Sequence, residues 1–332
     1  MSKGRTDVEK LENHRSEIVN PTFRRLVGYA LALAVLFFLG RVLVQTWGEI
    51  AASGFQFAFD MPALIVSLFL LVVARGFAVE AWRRIVISLG DYFDFGFGAR
   101  VWFLSNLTRY VPGNIWQVTT MMVMVGERGV SRTHALLSQV LYTALALAIA
   151  GLLGVTFVLA RPELIGVSAS SIPVASAPLV SALALGALVV IFALPITQRA
   201  IVALTARVLR RAIVAPAPTF ARGLVPPFFS MLMWLTNGVA FFLFVNAITP
   251  LSVGQLPAYI AMNAAAYWIG YVSFITPSGL GIREGALAFM LAAFLPTPVA
   301  VALSLATRLW STAGEILGVS LIWLGQGGAQ SK

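Results

Sequence analysis

Arg283 and Glu284 stand side by side in "FITPSGLGIREGALAFML", Phe274 to Leu291, where Pro277 and the glycines 279, 281 and 285 interrupt otherwise apolar sequence. A spanning helix avoids both breakers and charges, so a segment holding both marks a place where the chain does more than span. A second stretch, "FLSNLTRYVPGNIWQVTTM" from Phe103 to Met121, has the same grammar: Arg109 and Tyr110, then Pro112 and Gly113, then Asn114 and Gln117. Proline removes an amide and glycine relieves the chain, so in each stretch one helix ends and another begins. The second new helix starts at about Gly281 and carries Glu284 in its first turn.

Freed backbone groups survive in hydrocarbon only where protein or a watered cavity satisfies them. Paired interrupted segments in corresponding halves of a transporter therefore point to a binding site, because half-helix N-termini present free amides and a positive dipole to anionic groups. A simple proline kink is the competing interpretation of either break. Arg308 and Glu315, seven residues apart in the last apolar run, share one helical face and join the candidate set. Charges at that depth pair or line a polar path, although a self-neutralising network that only holds helices together would look the same. Arg75 and Glu80, toward the end of the second apolar run, are read as snorkelling to the interface and are left out.

Other chemistry has little support. The chain has no cysteine, and its two histidines, His14 and His134, are isolated in sequence, so no metal site is expected. Asp91 and Asp94 in "GDYFDFG" have helical spacing suited to a metal, but they sit among basic residues and read as solvated loop acids. No Gly-x-x-x-x-Gly-Lys-Ser/Thr loop is present, and no catalytic residue or cofactor is expected.

The elements that must position these residues follow from composition. With 332 residues, 59% hydrophobic and 11% charged, the chain is too poor in charge for a soluble globular protein and takes the bilayer as its solvent. Its net charge of +10 comes almost wholly from arginines beside apolar runs, which suits a membrane surface and not nucleic acid. The predicted fold is an all-α integral membrane protein, a polytopic helical bundle of about 7–8 spans with two broken or re-entrant segments. Apolar runs long enough to span occur near 26–47, 62–81, 134–160, 175–196, 224–247, 255–275 and 298–325.

Residues 1–25 are expected to form a polar cytoplasmic tail, 26–325 one transmembrane domain, and 326–332 a short tail. The domain would contain a two-fold repeat, with broken segments at 101–125 and 276–296. Arg83, Arg84 and Arg100, and the group Arg199 to Arg222, place their connections in the cytoplasm, whereas 48–61 and 248–254 read as external. Arg128 and Arg132 then require that 101–125 leave on the side it entered, as a re-entrant hairpin; a full span is the alternative. The basic stretch 198–214 should lie along the interface.

At "RYVPGNIWQ" and "PSGLGIREG" the chain resembles the lysylphosphatidylglycerol synthase transmembrane, flippase-like family, over essentially everything from about residue 24. The resemblance implies a membrane protein that binds an anionic phospholipid, an aminoacyl lipid or a polyprenyl-phosphate-linked sugar and moves it between leaflets. Carried over residue by residue, it marks Arg109, Tyr110, Pro112 and Gly113 in the first break and Pro277, Gly279, Gly281, Arg283 and Glu284 in the second, with Ser278 where the family commonly has glycine. Ser138, Gln139 and Val140 are neutral where the family often has a charged pair. A stand-alone member without the soluble synthase domain is expected, in the inner or plasma membrane with its N-terminus in the cytoplasm. Its partners would be lipids and possible lipid-modifying synthases or glycosyltransferases. The alternative function is a membrane glycosyltransferase, or an accessory to one, using a lipid-linked sugar.

Overall fold

A backbone in apolar surroundings must satisfy its own amides and carbonyls, and the α-helix does so within a single segment. The computed structural model of the chain describes residues 41, 44, 45, 48, 49, 51, 52, 55, 58–108, 116–160, 177–210, 219–273 and 281–327. Among the described residues there are ten α-helices of substantial length and no strand. In chain order they are α1 (Met61–Ser88), α2 (Phe95–Leu107), α3 (Trp116–Gly126), α4 (Arg132–Ala160) and α5 (Ala177–Ala193), then α6 (Pro195–Leu209), α7 (Phe220–Asn246), α8 (Leu256–Val272), α9 (Ile282–Leu291) and α10 (Thr297–Gly327). Of these, α1, α4 and α7 are long and apolar enough to cross a membrane. A fourth crossing is formed if α5 and α6, which meet at 65°, count as one broken span.

Local sequence sets the ends. Asp60 caps α1 by accepting the Ala63 amide at 3.0 Å, and Asp94 caps α2 by accepting the Phe97 amide at 2.8 Å. Pro195, first residue of α6, holds Leu194 extended and so turns the basic segment away from α5. Of the basic stretch expected along the interface, residues 211–214 fall outside the described residues.

One boundary differs from the expectation and matters for function. The apolar run 62–81 is continued by α1 to Ser88, so Arg83 and Arg84 lie on the helix and not in a connection. The helix tolerates them because Glu80 accepts from Arg83 Nε at 2.7 Å and from Arg84 Nε at 2.6 Å, one turn away on the same face. Arg75 consequently stands near the middle of a 28-residue helix. A residue there is about 20 Å from either end at 1.5 Å per residue, too far to snorkel.

Side-chain contacts fix the direction of each helix. Asp60 donates its amide to the Ala247 carbonyl and Phe77 packs on Phe229 at 6.2 Å, so α1 and α7 are antiparallel. Gly238 abuts Ile260 and Trp234 meets Tyr267 at 5.2 Å, which makes α8 antiparallel to α7. Gly151 and Gly154 of α4 abut Trp268 and Ala265 of α8 in reversed order, so α4 runs with α7. Trp310 donates to Ser67 Oγ at 3.1 Å while Gly314 faces Leu71, so α10 runs with α1.

Two short hairpins complete the arrangement. In the first, Gln117 Nε2 of α3 donates to Asn106 Oδ1 of α2 at 3.0 Å, and the Arg128 guanidinium lies 4.8 Å over the Phe97 ring. Asp91, between α1 and α2, accepts the Ser131 amide just before α4 at 3.1 Å, so this hairpin returns to the end from which it set out. In the second, Gly270 of α8 faces Arg283 of α9, and Tyr259 near the start of α8 meets Phe294 just beyond α9 at 5.6 Å. The sequence α1 to α4 is thus long, short, short, long, and α7 to α10 repeats that order with every helix pointing the opposite way. One hairpin enters from the arginine-rich end of the bundle and the other from the opposite end.

Tryptophans hold these units together. Trp82 is fully buried, donates to Ser138 Oγ at 3.0 Å and packs on Phe93 and Trp102 at 5.0 and 5.9 Å, joining α1, α2 and α4. Trp234 donates to the Ala146 carbonyl at 2.9 Å, joining α7 to α4. Each of these buried indole N–H groups has found an acceptor on a neighbouring helix.

Candidate functional site

The start of α9 is where the second break ends, and its geometry follows from two residues. Gly281 has φ of 83°, a left-handed conformation that turns the chain into the helix and that an L side chain adopts only with strain. Glu284, in the first turn, reaches back and accepts the Gly281 amide at 2.8 Å through Oε2. This is the return half of a capping box, and it also sets a negative charge at the positive end of the helix.

A Cβ on Gly281 would meet nothing within 4 Å, so Gly281→Ala is strained by the backbone alone. We expect that variant to lose about 1–2 kcal/mol, read as a lower unfolding midpoint in detergent. No change in midpoint would show that the turn relaxes freely.

The other oxygen of Glu284 is taken across the bundle. Oε1 accepts from Arg308 Nε of α10 at 2.6 Å, with the two side chains 7% and 14% exposed. A charge pair this dry stands against a desolvation cost of several kcal/mol per ion, so it persists only because the geometry and the extra amide bond are good. Spacing along the helix sets Arg308 with Glu315 on one face. Arg308 Nε reaches Glu284, and Glu315 is buried two turns on; both residues have further partners. Gly314, beside it, abuts Leu71 of α1, and Gly318 abuts Phe103 of α2.

Arg283 is the unbalanced member. Its Nε is buried without a hydrogen-bond partner, the one orphan on a formally charged group among the six buried side-chain polar atoms that lack one in the described residues. Four side chains lie within Coulombic reach of it: Arg308, Glu284, Arg75 and the Tyr267 phenol. Arg75, which hydropathy assigns to the interface, lies instead in the middle of α1. The apparent helix end at residue 81 hides this.

Aromatic residues line the surroundings. Tyr142 of α4 lies within Coulombic reach of both Arg75 and Tyr267, and packs edge-on to Trp102 at 4.9 Å. Tyr267 in turn meets Trp234 and Tyr271 at 5.2 and 6.0 Å. Four helices, α4, α8, α9 and α10, thus contribute to one charged and aromatic locus.

The remaining expected site residues distribute as follows. Gln117 is half-buried and engaged with Asn106 across the first hairpin. Arg109, Tyr110, Pro112, Gly113, Asn114, Pro277, Ser278 and Gly279 lie outside the described residues.

Asp91 and Asp94 are structural: Asp94 caps α2, and Asp91 accepts from Ser131 and meets His134 Nδ1 at 2.8 Å. His134 is therefore not isolated in space, as its sequence setting suggests. Among the described residues no group of three or more His, Cys, Asp and Glu side chains could hold a metal ion.

Two comparisons bear on this site. The family described as lysylphosphatidylglycerol synthase TM region matches over residues 25–318. No curated protein matches the chain.

Proposed function

From the membership of this chain in the lysylphosphatidylglycerol synthase TM-region family, which carries a membrane lipid-related role, we propose that it binds a lipid by its head group at the break before α9 and moves it between leaflets. The observation that carries this reading is Arg283: a buried guanidinium nitrogen with no hydrogen-bond partner among the described residues, beside a dry Glu284–Arg308 pair, at a helix start inside the bundle. A buried unsatisfied donor is unfavourable unless something else accepts from it, and a head-group oxyanion is the acceptor that a membrane supplies. The acyl or prenyl tail stays in lipid while the head group crosses. Two hairpins entering from opposite ends give each leaflet one broken segment, as inverted-repeat transporters arrange their midplane sites. We place the protein in the cell membrane with its Arg83 end toward the cytoplasm, on the arginine bias. A lipid-modifying synthase or glycosyltransferase would supply or consume the cargo.

The test is a scrambling assay on proteoliposomes with a fluorescent head-group-labelled lipid. Arg283→Ala should slow exchange between leaflets about ten- to hundredfold, the worth of one hydrogen bond to a charged group. Unchanged exchange in a folded variant would remove Arg283 from the site, and absence of exchange with the unmodified protein would remove the function.

A further inference from the structure

We propose that one face of α8 carries a file of bound water that reaches the start of α9 from the end of the bundle opposite Arg83. Tyr259, Asn263, Ala266 and Gly270 of α8 are spaced four, three and four residues apart, which puts them on a single helical stripe. Both ends of the stripe face the second hairpin: Tyr259 meets Phe294, just beyond α9, at 5.6 Å, and Gly270 abuts Arg283. From residue 259 to residue 270 the helix rises about 16 Å.

Two polar side chains on this stripe are buried without a partner. Tyr259 is 0% exposed and Asn263 3%, yet among the described residues nothing hydrogen-bonds the Tyr259 hydroxyl or Asn263 Nδ2. A buried hydroxyl or amide left unsatisfied is unfavourable, and buried polar atoms in folded proteins find a protein partner or a bound water. The ring of Tyr259 packs on Phe241, Phe242 and Phe294 as any core aromatic would. Phenylalanine would serve that packing equally, so the hydroxyl is the feature that needs an account.

Water is the ligand that suits these groups. No residue of α8 is charged, so the helix offers nothing of its own to hold a cation or an anion. A tyrosine hydroxyl both donates and accepts and an asparagine Nδ2 donates, which together supply the polar partners that a buried water requires. Beyond them Ala266 presents only a methyl group, and Gly270 lets Arg283 lie against the helix, so the file ends at the charged start of α9. Its other end is fixed by the fold: the Asp60 amide donates to the Ala247 carbonyl just after α7, and α8 begins at that same end of the bundle. Water on the stripe therefore wets the start of α9 from the side away from the arginines, whatever cargo is held there.

The chain has no cysteine, so a single introduced thiol can be followed without background. The full chain in nanodiscs is exposed to X-ray-generated hydroxyl radicals, which form from bound water and oxidise the side chains beside it, and the products are read by peptide mass spectrometry. Tyr259 should be oxidised several-fold faster than Trp82, which is equally buried but has its N–H on Ser138. Ala266→Cys, on the stripe, should likewise be oxidised several-fold faster than Ala264→Cys, which is as buried on another face of the same helix. Equal rates in either comparison would overturn the proposal. Tyr259→Phe tests the same point through stability: the unfolding midpoint should fall if water holds the hydroxyl, and rise if the hydroxyl is dry and unsatisfied. A midpoint that rises or does not move overturns the proposal as well. Should a cysteine variant fail to fold, the oxidation of Tyr259 in the unmodified chain decides the matter.

Discussion

Glu284→Gln is expected to lower stability by about 3–5 kcal/mol, the cost of breaking a buried ion pair. Glu284 satisfies two donors with two oxygens, the Gly281 amide at 2.8 Å and Arg308 Nε at 2.6 Å. Glutamine has one carbonyl oxygen, so its NH2 must face one of those donors. The measurement is a thermal unfolding midpoint in detergent for Glu284→Gln, Arg308→Met and the double variant. Because the partners touch, their effects should not add, and the double variant should recover a large part of the loss. Exchange of lipid between leaflets separates the two roles open to the pair. A network that merely ties α9 to α10 would let the restabilised double variant work normally, whereas a head-group site would leave it stable and inactive. A stability loss below about 1 kcal/mol for Glu284→Gln would mean that the pair is wet in the membrane, as exposed pairs are.

Trp82→Ala should be as damaging, at about 3–5 kcal/mol, through a different mechanism. The side chain is 0% exposed, and its removal leaves a cavity between Phe93 and Trp102 and takes away the donor that Ser138 Oγ accepts from, leaving that hydroxyl only its bond to the Ala135 carbonyl. Its neighbours belong to three helices, α1, α2 and α4, so collapse around the void must shift the first hairpin. We expect faster proteolysis within α2 and α3 alongside the lower midpoint. Trp82→Phe, which restores most of the volume but not the N–H, should recover more than half of the loss. An alanine variant within about 1 kcal/mol of the parent would show that the α2–α3 hairpin is anchored elsewhere.

Both residues illustrate how far sequence carries. Proline and glycine are local signals, so the two breaks are legible in "RYVPGNIWQ" and "PSGLGIREG" themselves, as is the turn at Gly281. The hairpin course of 101–125 follows from arginine placement, and Asp91 on the Ser131 amide gives it a structural basis. Pairings between distant residues are not legible in this way. Spacing along one helix places Arg308 and Glu315 on a shared face, but it does not reveal that Arg308 Nε reaches the Glu284 carboxylate, 24 residues earlier on another helix. His134 looks solitary because its partner, Asp91, lies 43 residues away. Hydropathy ends the second span at residue 81, because arginines read as a boundary. Glu80 pairs with both Arg83 and Arg84, and the helix runs on to Ser88. That one misplaced end makes a central arginine look peripheral.

The head-to-tail reversal of α1–α4 and α7–α10 bears on how the protein is made. A bundle whose halves are upside-down versions of each other offers nearly the same outline to both faces of the bilayer, so shape gives the insertion machinery little to choose between. The decision falls to surface charge: Arg83, Arg84, Arg100, Arg128 and Arg132 crowd one face, while Asp60 stands at the other. Replacing those arginines is expected to let newly made copies enter the membrane in both orientations. Arginines that touch no ligand would then be kept for the sake of biosynthesis.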